Sequence, residues 1–258
     1  MSNIKKNIAF TYITPFHPER GGIGRVTHNL TLEFKQRGYN VFYLIYDSAI
    51  TIKYDYNYPV PLTYFPSKEL LSEENISFYH NYLIENQIDI VINQSGNFSD
   101  SKLYLNVGNL NVKVVSVLHQ PPWISYHQLW EEMYPLKNKS KIEKLKRIVR
   151  IMLYPKLKYK FKQSRINHFN FLLPRTDLVC MLSKNYYREL SEICSGFEYK
   201  YVAIPNPNTY DEPKITIKKR KQIIYVGLLV RNKRVDRLLK IWSEIYRDYP
   251  DWELILLT

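Results

Sequence analysis

One stretch near the start of the chain constrains its fold more than any other. Residues 7–15 are a short apolar, β-branched and aromatic run, which predicts a buried strand. The glycine-rich residues 19–24 follow and lead into a helical pattern of apolar side chains that ends at Gly38. A strand, a glycine loop and a helix in this order open a doubly wound α/β domain, which binds ligands where that strand meets that helix. The helix dipole favours a negatively charged group there.

The composition limits the class of protein. The 258 residues, 45% of them hydrophobic, suffice for one large domain or two small ones. The mean hydropathy of -0.36, and the lack of any run of ~18 apolar residues, argue against a membrane-spanning helix. Cys180 and Cys194 offer neither a disulfide framework nor the spacing of metal ligands. We therefore expect a cytoplasmic protein without a bound metal.

The positive charge is concentrated in one segment. Residues 137–165 contain twelve Lys or Arg and a single acid, Glu143, so they carry +11 of the total +13. Apolar residues recur between these charges at helical spacing. Three interpretations stay open: a solvated charged helix, a basic amphipathic helix on anionic lipid, and a nucleic-acid surface, for which no motif is found. We favour lipid. Candidate residues for an acceptor or a membrane are Trp123, Lys144, Arg147 and Arg150.

Further strands follow the first helix and indicate one long α/β domain. They are predicted at residues 39–46, 88–92, 113–118, 177–182 and 201–204. The polar residues 209–221 then predict a linker, and residues 222–258 read as strand, helix and strand. We thus expect an N-terminal Rossmann-like domain with a parallel sheet over 1–208, followed by the β-α-β start of a second such domain. Because three elements cannot close a core, this second domain is expected to be incomplete.

Separated segments resemble one family. The first is Gly21 and Gly22 with Arg25 to Leu30, the second is Ile204-Pro-Asn-Pro207, and the third is Tyr225 to Asp236. In this order they resemble the opening segment, the hinge and the start of the second domain of the retaining glycosyltransferases of the GT4 type, which have the GT-B fold. The resemblance covers essentially the whole chain, but only about two-thirds of a typical member. It implies two Rossmann-like domains facing a cleft. The nucleotide-sugar donor binds mainly to the second, the acceptor mainly to the first, and the chemistry needs no metal.

The resemblance also implies roles for single residues. Gly21 and Gly22 would contact the donor phosphate or sugar, and His119 would lie beside the transferred sugar as the catalytic residue. Arg231 and Lys233 would bind the donor phosphates. Without the resemblance, the glycines could form a plain turn, His119 could be a satisfied histidine at a strand end, and Arg231 and Lys233 could be solvated charges.

The sequence departs from the family pattern in two places. Leu228 stands where the family commonly has a basic residue, and the Glu-x7-Glu motif that holds the donor ribose and sugar is absent from these 258 residues. We predict a hexosyltransferase-type enzyme of polysaccharide biosynthesis. It would move a sugar with retention from a nucleotide diphosphate sugar to a glycan or lipid-linked acceptor, on the inner face of the plasma membrane. A GT-B sugar-nucleotide epimerase and a non-catalytic acceptor- or membrane-binding fragment are the alternatives. No cofactor and no nucleic-acid partner are expected.

Overall fold

The computed structural model of the chain describes residues 5–46, 56–124, 126, 140–208, 219–227, 229 and 233–257. Within residues 141–147, only the side chains of Ile142 and Lys146 are described. The chain divides into two compact units, Met1–Thr209 and Tyr210–Thr258. Each unit is described by itself.

The first unit contains both strands and helices, which mostly follow one another in turn. The strands are β1 (Asn7–Tyr12), β2 (Asn40–Ile45), β3 (Leu62–Tyr64), β4 (Ile90–Asn93), β5 (Lys113–Leu118), β6 (Leu178–Met181) and β7 (Tyr201–Ala203). The helices are α1 (Gly22–Gln36), α2 (Glu73–Glu85), α3 (Ser101–Tyr104), α4 (Lys141–Met152), α5 (Tyr154–Leu172) and α6 (Asn185–Ile193).

These strands form one parallel sheet in the order β3-β2-β1-β4-β5-β6-β7. The chain moves outward from β1 to β3 on one side, then returns to the centre and moves outward from β4 to β7. The order therefore reverses between β1 and β4, which is the topological switch point of a doubly wound fold. The α/β class and the parallel, Rossmann-like sheet predicted from the sequence are confirmed.

Alternation along the central strands supplies two cores, one on each face of the sheet. Ile8 and Phe10 of β1 pack in one cluster, which the partly buried Leu30 and Phe34 of α1 cover. Ala9, between them, points to the opposite cluster, where α2 and α5 contribute buried side chains. A parallel strand covered on both faces is buried on both sides, which explains why residues 8–11 of β1 are all buried and mostly apolar.

The basic segment forms two helices in direct succession. Pro155 lies at the start of α5, where a proline costs no intrahelical hydrogen bond, so it separates α4 from α5 without ending the helical segment. Helical structure continues beyond residue 165, where the sequence interpretation ended it, as far as Leu172. The reason is that Phe169 and Leu172 are fully buried in the core. Residues 137–139 lie outside the described part.

The second unit has β8 (Gln222–Val226), α7 (Val235–Ile245) and β9 (Glu253–Leu257), with β8 and β9 parallel. This is the β-α-β unit expected from the sequence. Across the described residues of both units, none of the helices combines the length and the apolar character needed to cross a bilayer.

Candidate functional site

Three loops leave the carboxyl edge of the sheet around its switch point. The loop after β1 leads to the glycines before α1, the loop after β4 begins with Gln94, and β5 ends directly before His119. Because β1, β4 and β5 are neighbours in the sheet, the ends of β1 and β5 are two strand spacings apart, about 10 Å. The edge where such sheets bind ligands thus gathers Gly21, Gly22 and His119 of the predicted site.

The start of α1 is open to solvent, and its first turn contains no acidic residue. Gly21 has φ 141°, a conformation that favours glycine, and α1 begins at the exposed Gly22. The N-cap residue is Gly21, which has no side chain to cap the helix. A Cβ atom at Gly21 or Gly22 would meet nothing within 4 Å. The amide groups of this first turn are therefore accessible to an anionic ligand, which the helix dipole attracts.

A third glycine has a structural role that the sequence did not reveal. A Cβ atom on Gly24 would lie 2.4 Å from the backbone oxygen of His17, so only glycine fits there. The guanidinium Nε of Arg25 donates to the Pro18 oxygen at 3.1 Å, and the amide of Glu19 donates to Nδ1 of His17 at 3.2 Å. The loop after β1 is thus held against the first turn of α1.

His119 forms a short hydrogen bond with a buried glutamine from the neighbouring loop. Its Nε2 lies 2.6 Å from Oε1 of Gln94, and burial lowers the pKa of His119 to about 4. The imidazole is therefore neutral near pH 7. Since an amide oxygen only accepts, Nε2 carries the proton and donates it, and Nδ1 is left as an acceptor. In this form His119 can orient a hydroxyl group but supplies no positive charge.

The loop after β4 lies tightly against the end of β5. A Cβ atom on Gly96 would be 2.6 Å from the Val117 oxygen, so the backbones approach too closely for any other residue. The Asn97 side chain donates to the Gln120 oxygen at 3.2 Å and accepts from the Gln120 amide at 3.3 Å. These contacts hold the loop that carries Gln94 next to the one that carries His119.

Helix α5 fastens both loops from one side. Arg165 donates to the Asn97 oxygen at 2.8 Å and to the Pro122 oxygen at 3.0 and 3.1 Å, and it stacks on Phe169. His168 lies 2.8 Å from the Gly96 oxygen through Nε2, and burial lowers its pKa to about 4. Arg165 therefore positions these loops. Although Arg165 belongs to the basic segment of the sequence, its guanidinium binds backbone oxygens of the protein itself. Burial lowers the pKa of Arg165 to about 10.

A buried carboxyl group lies beneath the switch point. Asp100 accepts a hydrogen bond from the hydroxyl of Ser95, and burial raises its pKa to about 6. Burial, together with the charge of Asp100, raises the pKa of Tyr12 to about 12, so the end of β1 also borders this group. The Ser95 amide in turn donates to Oδ1 of Asn93 at 2.9 Å. This network fixes the turn from β4 into α3.

The other predicted site residues are placed as follows. Trp123 is buried in the core and contacts Tyr126, so packing is the role that the structure shows for it. Arg150 is exposed on α4. The side chains of Lys144 and Arg147, on the same helix, lie outside the described part of the structure. In the second unit, Lys233 is exposed two residues before α7, and Arg231 lies outside the described residues.

Sequence reasoning missed the residues that support the loops. Gln94, Gly96 and Asp100 belong to a polar run directly after a buried strand, and that position at a carboxyl edge was the available signal. Arg165 and His168 gave no signal, because their partners are more than 40 residues away in the chain. Within the described residues, no three His, Cys, Asp or Glu side chains gather as a metal site would require.

Comparison with known proteins finds a related fold and one short related segment. No family model matches the chain. A segment of 54 residues is 41% identical to part of an uncharacterized glycosyltransferase of Haemophilus influenzae. The segment makes up 20% of this chain and 15% of that protein. The chain therefore spans only a small part of that relative.

Two solved structures are similar over nearly the whole chain. The crystal structure of Anabaena HepE in complex with UDP-glucose matches with a TM-score of 0.53 and 12% identity, over 98% of this chain and 69% of HepE. The UDP-GlcNAc 2-epimerase of Methanocaldococcus jannaschii matches with a TM-score of 0.47 and 10% identity, over 99% of this chain and 66% of the epimerase. The second similarity is too low to bear on function. The first shows that the chain has the α/β architecture of a protein with the GT-B-like, Rossmann-like fold.

Proposed function

We propose that this chain contains the acceptor-side domain and a β-α-β part of the donor-side domain of a glycosyltransferase that uses a nucleotide diphosphate sugar. The observation that carries the proposal is the open, uncapped start of α1 at the switch point, on the same sheet edge as the His119–Gln94 pair. The 54-residue similarity to a glycosyltransferase, and the fold shared with a protein whose structure contains UDP-glucose, support it.

In the proposed reaction, the bond between the anomeric carbon and the diphosphate oxygen breaks, a bond to an acceptor hydroxyl oxygen forms, and the proton of that hydroxyl passes to the departing diphosphate. Negative charge grows on the departing diphosphate, and the amides at Gly22 and the α1 dipole would stabilise it. Nδ1 of neutral His119 would accept a hydrogen bond from a sugar hydroxyl and hold the ring in place. Binding of donor phosphates by Arg231 and Lys233 is also part of the proposal and rests on the sequence resemblance alone. The proposal includes four further features: retention of configuration, a GT4-type classification, a glycan or lipid-linked acceptor, and independence from metals.

The start of α1 offers a sharp test, because folding and ligand binding should respond in opposite directions. The Gly22→Asp variant places a carboxylate at the positive end of the helix, where it stabilises α1 by about 0.5 kcal/mol, and a side chain there meets nothing within 4 Å. The same charge repels a diphosphate. We expect an unchanged or raised melting temperature together with at least tenfold weaker binding of UDP-glucose in calorimetry. The Gly22→Ala variant is the uncharged control.

The role of His119 is tested by His119→Phe, which keeps a ring but cannot accept a hydrogen bond. We expect transfer from UDP-glucose to fall at least about 100-fold, while the affinity for UDP changes little. If wild-type protein binds none of a panel of nucleotide diphosphate sugars, or if Gly22→Asp binds them as well as wild type, the proposal is wrong.

A further inference from the structure

The apolar stripe of α4 faces solvent. Ile142, Ile148 and Met152, which helical spacing places on one face, are 67%, 54% and 76% exposed. Val149 and Leu153 are exposed next to them. An amphipathic helix in a globular protein normally turns such a stripe inward, as α5 does with Phe169 and Leu172. Among the residues that the structure describes, none covers this stripe in the way that α5 and the sheet cover the apolar faces of the first unit.

Exposed cations lie on α4 and on the helix that follows it. Among the described side chains, Lys146 and Arg150 of α4 and Lys156, Lys160 and Lys162 of α5 are exposed. We name these exposed apolar and basic residues the basic-apolar surface. It consists of Ile142, Lys146, residues 148–153, Lys156, Tyr159, Lys160 and Lys162. Glu143 is the one acid in the sequence between residues 137 and 165, so the surface attracts anions.

The combination of charge and apolar area selects the partner. A second copy of this surface would be repelled by like charges. A nucleic acid would bind the lysines through its phosphates but would leave the isoleucines and the methionine in water. Its binding would therefore gain no free energy from burial of the apolar area. An anionic bilayer satisfies both, because apolar side chains enter the acyl boundary while Lys and Arg remain among the headgroups. We propose that the basic-apolar surface binds peripherally to an anionic membrane.

The surface is connected to the candidate site through α5. Lys156 lies nine residues before Arg165, about 14 Å along the helix axis, and Arg165 holds the loops that carry Gln94 and His119. A groove beside α5 is lined by Lys160 of the basic-apolar surface and also by Arg165 and His168, which contact these loops. If the proposed sugar transfer is correct, this arrangement favours a lipid-linked acceptor. Membrane binding itself does not depend on that function.

Charge reversal tests the electrostatic contribution. The full chain is sedimented with vesicles of phosphatidylcholine, with or without about one-third phosphatidylglycerol, at about 0.1 M salt. We expect binding to the anionic vesicles only. Since each Lys or Arg near such a surface contributes about 1 kcal/mol, the Lys146→Glu and Arg150→Glu double variant should bind at least about 30-fold more weakly. The matched control, Lys184→Glu with Lys240→Glu, changes the net charge equally at exposed positions elsewhere and should keep most of the binding.

Polar substitution tests the apolar contribution. The Ile148→Gln and Met152→Gln double variant should bind anionic vesicles at least about tenfold more weakly, because it removes two apolar side chains from the acyl boundary. The matched control is Leu32→Gln with Ile84→Gln, which replaces exposed apolar residues of α1 and α2. Circular dichroism and melting temperature verify that every variant is folded.

Three results would overturn the proposal. The first is equal sedimentation with neutral and anionic vesicles, and the second is equal loss in the substituted and control variants. The third is concentration-dependent dimerisation that Ile148→Gln with Met152→Gln abolishes, since the stripe would then bind a second copy. Binding of UDP-glucose is measured on the same preparations without vesicles, so failure of membrane binding and failure of the proposed sugar transfer are read separately.

Discussion

His168 makes the stability of this protein sensitive to acid. The imidazole, which belongs to α5, is 8% exposed and lies 2.8 Å from the Gly96 oxygen in the loop after β4 through Nε2. Burial lowers its pKa to about 4, and the nearby charges of Arg165 and Lys102 act in the same direction, despite the opposing effect of the hydrogen bond to Gly96. The folded protein therefore holds His168 neutral at a pH at which the unfolded chain, with an ordinary histidine pKa of about 6.5, already binds a proton.

The pH window and the size of the effect follow from these two pKa values. Because the unfolded state binds the proton first, stability falls as the pH drops below about 6.5 and continues to fall until the pH reaches about 4. Between pH 7 and pH 5, His168 alone should cost about 2 kcal/mol. Asp100 acts in the opposite direction, because its pKa is raised to about 6 and the folded state protonates first. Its contribution is common to wild type and variant, so it cancels in their difference.

The perturbation is His168→Gln, since glutamine can donate to the Gly96 oxygen but does not titrate. Urea unfolding of wild type and variant is followed by far-ultraviolet circular dichroism at pH 7 and pH 5. We expect wild type to lose about 2 kcal/mol more than the variant between these two values. The control Asn167→Gln, at an exposed neighbouring position, should lose as much as wild type. Equal losses in wild type and His168→Gln would refute the assignment of a buried neutral imidazole.

Three further substitutions test the loops and the first turn of α1 by their melting temperatures or urea unfolding. Gly24→Ala should destabilise the protein by about 2 kcal/mol, because the new methyl group meets the His17 oxygen, whereas Gly22→Ala in open space should be near neutral. Arg165→Met should cost about 2 kcal/mol, since the carbonyl groups that the guanidinium contacts lose their donors. Asn75→Ala should also destabilise the protein by about 2 kcal/mol, because this fully buried side chain accepts a hydrogen bond from the Ser67 amide and donates one to the Ser67 oxygen. If Gly24→Ala, Arg165→Met or Asn75→Ala unfolds like wild type, the contacts assigned to that residue are wrong.

The architecture of the first unit follows from local patterns that can be read in one dimension. β1 is an unbroken apolar run because it is covered on both faces, and α1 shows its period because one of its faces covers the sheet. The position of Gly21 and Gly22 between such a strand and such a helix predicted a loop at the start of α1 at the ligand-binding edge of the sheet, and His119 was predicted to lie at the end of a strand. These features depend on neighbours within a few residues, so the sequence carries them directly.

Tertiary structure decided what each candidate side chain does. Gly22 and Gly24 are alike in the sequence, yet only Gly24 is pressed against a backbone oxygen, because the loop after β1 folds back onto α1. Arg165 was one of twelve cations in a basic segment, and only the packing of α5 against two distant loops makes it internal. Whether Ile148 faces a core or solvent was also undecided, since an amphipathic period specifies a face but not its partner. Contacts between residues far apart in the chain set these outcomes, and no local pattern encodes them.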